Sequence, residues 1–147
     1  MAGTPSCGSG ATMHGAHHPP DRWMQHDKLL QTGFHRWQGF FGALLCAIAV
    51  GLSAYAAHGT DGPSQARLQT AAVFAFGHGI AFVTLVPQVR GPWLLAASLA
   101  LQSGALLFCG SLVGSVLLGW PTTLAPTGGM LLIAGWAAWA IAALRGY

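Results

Sequence analysis

The chain has 147 residues, of which 53% are hydrophobic and 6% charged. An ordinary soluble domain carries roughly 25% charged residues and needs them to cover its surface, so a conventional soluble enzyme is excluded. Six Lys or Arg against three acids give a net charge of +3, and the cations are scattered along the chain, which excludes a nucleic-acid surface as well. One membrane domain with a polar tail accounts for this composition.

Residues 1–26 read as a disordered, His-rich tail. The first 20 are mostly Gly, Ser, Thr, Pro and His, end in Pro19-Pro20, and cannot bury enough surface to offset their ordering entropy. They hold neither the cation nor the apolar core of a secretory signal, so the first spanning helix is expected to drive insertion; Met13 and Met24 are alternative starts. His14, His17, His18 and His26 are imidazoles that a flexible chain can wrap around copper, nickel or zinc. An extension with no native ligand is the preferred account of them, and no cofactor is expected.

Residues 27–36 form an interfacial lead-in, with Leu30, Phe34, Trp37 and Phe41 at helical spacing. Residues 37–57 carry no charge, and an uncharged helix of about 20 residues crosses a ~30 Å hydrocarbon core. A loop at 58–67, marked by Asp-Gly and Gly-Pro, separates this first span from a second at 68–86, which Pro87 stops. From Gly91 to Leu144 no Asp, Glu, Lys, Arg or His occurs; Gly119 to Thr123 divides that run into spans at 93–118 and 125–144. The expectation is an all-α, integral membrane four-helix bundle. Four spans put Arg22, Lys28, Arg36, Arg90 and Arg145 on one side and Arg67 alone on the other, so both termini are expected in the cytoplasm. Trp37, Trp93, Trp120 and Tyr147 fall near span ends, where aromatic belts sit.

Ala43, Ala47 and Gly51 form a small-xxx-small series on the first span, and Gly110 with Gly114 a GxxxG on the third; such spacing lets backbones approach closely. Contact within one chain is favoured over dimerisation. GALLCAIAVG (42–51) and GALLFCGSLVG (104–114) also look alike, a hint of a duplicated helix pair. Of the three cysteines, Cys46 and Cys109 lie in apolar stretches and read as small hydrophobes, and no CxxC occurs.

Polar groups inside spans are costly unless satisfied. His78, between Gly77 and Gly79, and Gln102 are expected at similar depth, where they can hydrogen-bond across the bundle. His78 then either relays protons or is a neutral histidine that holds helices in register, bonded to Gln102 or a backbone carbonyl; the second is favoured. His58, Asp61 and Arg67 near the first loop form either a polar site at the outer mouth or a helix end with a weak surface ion pair. His35, His58 and His78 sit at three different depths, which argues against a pair of haem ligands. No HExxH, GxSxG or P-loop occurs.

Four segments, GLSAYAAHG (51–59), LQTAAVFAFGHGIAF (68–82), LLFCGSLVGSVLLG (106–119) and LAPTGGMLLIAGWAAWAIAAL (124–144), together resemble the small bacterial membrane proteins catalogued as domain of unknown function 423. The transmembrane protein 256 group of eukaryotes is similar. The family's GAHG-like turn is matched by Ala56 to Gly59, its Gln upstream of a central His by Gln69 and His78, its FSGSL-like stretch by Phe108 to Leu112 with Cys109 in place of Ser, and its TPxGG-like entry by Ala125 to Gly129 with Ala in place of Thr. The resemblance covers about 37–145 and implies an inner-membrane protein without an established reaction. The expected function is a non-enzymatic accessory subunit that packs against a larger membrane complex, the other partners being lipid and further copies of itself. The alternatives are a proton or small-solute path using His78 and Gln102, and metal binding by the tail.

Overall fold

A computed structural model describes residues 22–85, 88–89 and 91–145, with the backbone alone for 22–32 and 34. Four helices follow in order: α1 (Arg22–Gly59), α2 (Gly62–Leu85), α3 (Gly91–Leu117) and α4 (Leu124–Leu144). Each contains a segment long and apolar enough to cross a bilayer, His35–Gly59 in the case of α1. The helix is the form such runs must take, because it satisfies every backbone N–H and C=O inside one segment. The all-α, four-span architecture is thus the expected one.

Two boundaries differ from expectation. The loop at 58–67 shrinks to Thr60 and Asp61, and α2 starts at Gly62. Pro63 has no N–H, but a first helical turn does not use it, and the proline ring already holds the helical φ. Gly62, at φ +57°, supplies the left-handed step between the two helices. At the other end α1 begins at Arg22, inside the stretch assigned to the tail, and takes in 27–36. The lead-in is therefore the start of one long helix: its 38 residues at 1.5 Å each reach about 57 Å, well past a ~30 Å hydrocarbon core. The rest of the tail, 1–21, lies outside the described residues.

The backbones pack as two antiparallel hairpins. α1 lies against α2, α3 against α4, and α2 against α3; among the described residues no other pair of helices approaches closely. Each hairpin closes on glycines. A Cβ built on Gly42 would stand 2.6 Å from the Gly79 carbonyl oxygen, and one on Gly79 would meet Gly42 O at 2.7 Å. In the second hairpin a Cβ on Gly104 would meet Gly128 O at 3.0 Å, and one on Gly128 would meet Phe108 N at 2.5 Å. The two similar segments thus each begin at the glycine that its own hairpin uses for close approach.

Small side chains fill much of the core: Ala49, Ala56, Ala71, Ala72, Ala75, Ala97 and Ala105 are buried beside Leu94, Leu132, Phe82 and Trp139, and Leu68 and Leu101 are the largest with essentially no exposure. Trp37, Val73, Met130 and Ile133 are about 70% exposed. Helices that are apolar on their outer face as well belong in lipid. There the drive to associate is dispersion across close backbones, since the outer surface is already solvated by hydrocarbon.

The expected packing series is corrected. Ala43, Ala47 and Gly51 are exposed, and a Cβ on Gly51 would meet nothing within 4 Å. Among the described residues the buried positions of α1 are Gln38, Gly42, Leu45, Ala49 and Ala56, so at about 100° per residue the series lies on the opposite side of the helix, roughly 170° from the contact face. Gly110 likewise meets nothing, whereas Gly114 is used within the α3–α4 turn. Leu118 N and Trp120 N both donate to Gly114 O, at 2.9 and 3.2 Å, around Gly119 at φ +68°. That left-handed cap folds the Trp120 ring onto Gly114, where a Cβ would be 3.0 Å from it.

Candidate functional site

His78 is the buried polar group around which several elements converge. α2 presents it toward α4 because the next residue, Gly79, faces α1 at the glycine contact. Its Nδ1 lies 2.7 Å from the Phe74 carbonyl oxygen one turn earlier, and its Nε2 lies 3.1 Å from the indole Nε1 of Trp136 on α4. A carbonyl only accepts and an indole N–H only donates, so the network assigns the proton to Nδ1 and leaves Nε2 as acceptor. Both ring nitrogens thus have a partner, one within α2 and one on α4.

Aromatic rings surround it. The Phe74 ring lies nearly parallel to the imidazole, 6.0 Å away at 13°; Trp136 and Phe82 are tilted, at 5.9 and 6.4 Å. Phe108 of α3 meets Phe74 at 4.7 Å. Together they border a groove of about 470 Å³ between α2, α3 and α4, lined by Phe74, His78, Phe108, Leu132, Ile133 and Trp136.

Gln102 has a different partner. Its Oε1 accepts from Gln38 Nε2 of α1 at 3.1 Å. His78 and Gln102 do not bond to each other; each makes its own tie between helices. Trp136 to His78 joins α4 to α2, and Gln38 to Gln102 joins α1 to α3, where no backbones come close. Gln38 is 3% exposed, and its Oε1 has no partner, as has the buried Ser111 Oγ.

His58, Asp61 and Arg67 are each exposed, and among the described residues no three His, Cys, Asp or Glu converge as a metal site. Thr60 closes α1, its hydroxyl donating to Ala56 O at 3.1 Å. His14, His17 and His18 lie outside the described residues, and His26 is placed on α1 by its backbone. Cys46 leans its thiol on the Phe76 carbonyl at 3.7 Å and, with Cys109, is unpaired, as small apolar residues are.

Sequence reasoning missed Gln38 and Trp136. Gln38 meets the same test that singled out Gln102, an amide inside an uncharged run. Trp136 stands in an uncharged run, and its indole N–H is a donor that a tryptophan inside a span has to place.

No solved structure matches the chain. The model of a family described as "Protein of unknown function (DUF423)" matches residues 52–129. The matched stretch contains all of α2 and α3, and with them His78, Gln102 and the contact glycines Gly79, Gly104 and Gly128. Since the match covers more than half of the chain, the protein belongs to the DUF423 family.

Proposed function

We propose that the protein is a non-enzymatic accessory subunit of a larger membrane complex, docked through the outer face of α1. The observation that carries this reading is the exposed strip of Ala43, Ala47 and Gly51. Among the described residues α1 packs closely on α2 alone, which leaves the strip open to a helix of another membrane protein. Side chains no larger than a methyl let two backbones approach until dispersion and weak hydrogen bonds accumulate. The non-enzymatic part is supported by the engagement of both His78 ring nitrogens and by the exposure of His58, Asp61 and Arg67. The protein resides in a bacterial-type inner membrane with both termini cytoplasmic, an orientation supported by the five cations on one side against Arg67 on the other.

The test is gentle extraction from the native membrane followed by native mass spectrometry, for the wild type and for Ala47→Phe. A partner in fixed ratio that A47F loses, while the variant itself stays folded, is the expected result. Masses at multiples of 15.2 kDa and nothing else would replace the accessory reading with self-association. A partner that A47F retains would place the docking face elsewhere.

A further inference from the structure

The groove beside His78 is built from α2, α3 and α4, contains no residue of α1, and plays no part in docking through the α1 strip. It opens at the outer surface: Phe74 and Trp136 at its rim are about two-fifths exposed, while His78 at its floor is 7% exposed. In a membrane-spanning bundle such an opening faces hydrocarbon, so an occupant enters sideways from the lipid. Its walls are aromatic and aliphatic. The polar feature they enclose is the contact between the Trp136 indole N–H and His78 Nε2.

We propose that this groove is a binding site for a membrane-soluble phenol, a quinol-type ring whose hydroxyl inserts between Trp136 and His78. The donor and acceptor inventory selects the group. His78 Nδ1–H is committed to the Phe74 carbonyl, so Nε2 can only accept; the indole can only donate. A guest that opens the contact must offer an acceptor to Trp136 and a donor to His78 from one place. A hydroxyl does both. A ketone, ester or ether satisfies Trp136 and strands Nε2 without a proton, and an ammonium group leaves the indole N–H facing another donor.

The mobility needed is unequal, as an insertion requires. His78 is held at Nδ1 and flanked by the Phe74 and Phe82 rings, whereas Trp136 sits at the rim and can swing outward. The aromatic walls select a ring over an aliphatic alcohol, since Phe74, Phe108 and Trp136 offer both faces and edges for offset or edge-on packing. A volume of about 470 Å³ falls in the usual range for small-molecule sites and leaves room for ring substituents, with any tail trailing into lipid.

The test uses the full chain in phosphatidylcholine vesicles, ¹⁵N-labelled at the Trp indoles, under anaerobic conditions. The Trp136 indole N–H signal is assigned by its absence in Trp136→Phe. Three probes are titrated: duroquinol, its dimethyl ether, and 1-decanol. The expected result is a saturable shift of the Trp136 signal by duroquinol, with about tenfold weaker binding of the ether, the loss that one unmade hydrogen bond brings, and weaker binding again of decanol. His78→Phe keeps the aromatic bulk and removes the acceptor, so it is expected to bind duroquinol and the ether alike. Should that variant fail to fold, the comparison of probes on the wild type decides alone. Equal affinity for duroquinol and its ether overturns the proposal. So does decanol binding as tightly as duroquinol, or a shift that rises without saturation, as simple partition into the bilayer gives.

Discussion

Replacing Gly128 with Ala tests the account of how the second hairpin is held. The added methyl carbon would stand 2.5 Å from Phe108 N and 2.9 Å from both Phe108 Cα and Gly104 O, all backbone atoms, so no side chain can turn aside to receive it. Ordinary contact begins near 3.4 Å, and α3 and α4 must part by the difference, about 0.5–0.9 Å. A gap of that size forfeits roughly a quarter to a half of each dispersion contact along the seam, and overpacking of this kind costs about 1–3 kcal/mol. The better helix propensity of Ala returns ~1 kcal/mol, which leaves a net loss of up to about 2 kcal/mol and, because Gly110→Ala gains the same propensity, a difference of about 1–3 kcal/mol between the two variants. Gly110→Ala makes the same chemical change on α3 where a Cβ meets nothing within 4 Å, and should be neutral or up to ~1 kcal/mol more stable. Reversible unfolding in mixed lipid–detergent micelles, followed by energy transfer between labels on α3 and α4, measures both. The reasoning is refuted if G128A and G110A unfold within ~0.5 kcal/mol of each other, the usual range for substitutions that touch nothing.

Two further outcomes follow from the side-chain ties. Gln102→Leu takes from Gln38 its bond across to α3 and should cost about 0.6–1.7 kcal/mol, the range of hydrogen bonds measured between membrane helices; adding Gln38→Leu should recover part of that loss, so a double-mutant cycle that shows strict additivity would sink the pairing. His78→Phe removes the acceptor of the Trp136 bond, so the Trp136 indole proton signal should move upfield as a lost hydrogen bond requires, and a signal that stays fixed would contradict the geometry.

The spans were legible because hydrocarbon imposes a coarse demand, long runs without charge, which 37–57 and 91–144 display openly. Ends were less so. Gly62-Pro63 is as good a helix start as a loop, and only the three-dimensional path between α1 and α2 distinguishes them. The rotational phase of α1 was illegible for a different reason. Ala, Gly and Leu ring the helix on all sides, so there is no polar face to contrast with a buried one, and 43, 47, 51 is as plausible a contact series as the 42, 45, 49 that the fold uses. The site was half legible. That His78 would be satisfied rather than free could be argued from its burial cost, and the carbonyl at Nδ1 fits that argument. Its second partner could not be found by pairing polar residues with one another, because the donor belongs to a tryptophan that the sequence presents as apolar bulk.

The closed glycine seams have a consequence for how the chain is made. Gly42 with Gly79 and Gly104 with Gly128 each join helices that are neighbours in sequence, so each seam can form as soon as its second helix enters the bilayer, without the other half of the protein. Synthesis then delivers one finished hairpin, a second finished hairpin, and a late step in which α2 docks on α3 and the two ties across the bundle are made. That last step depends on weaker and fewer contacts than those inside either half. A chain arrested before it is inserted and helical yet unjoined, with the ties of His78 to Trp136 and of Gln102 to Gln38 still unmade.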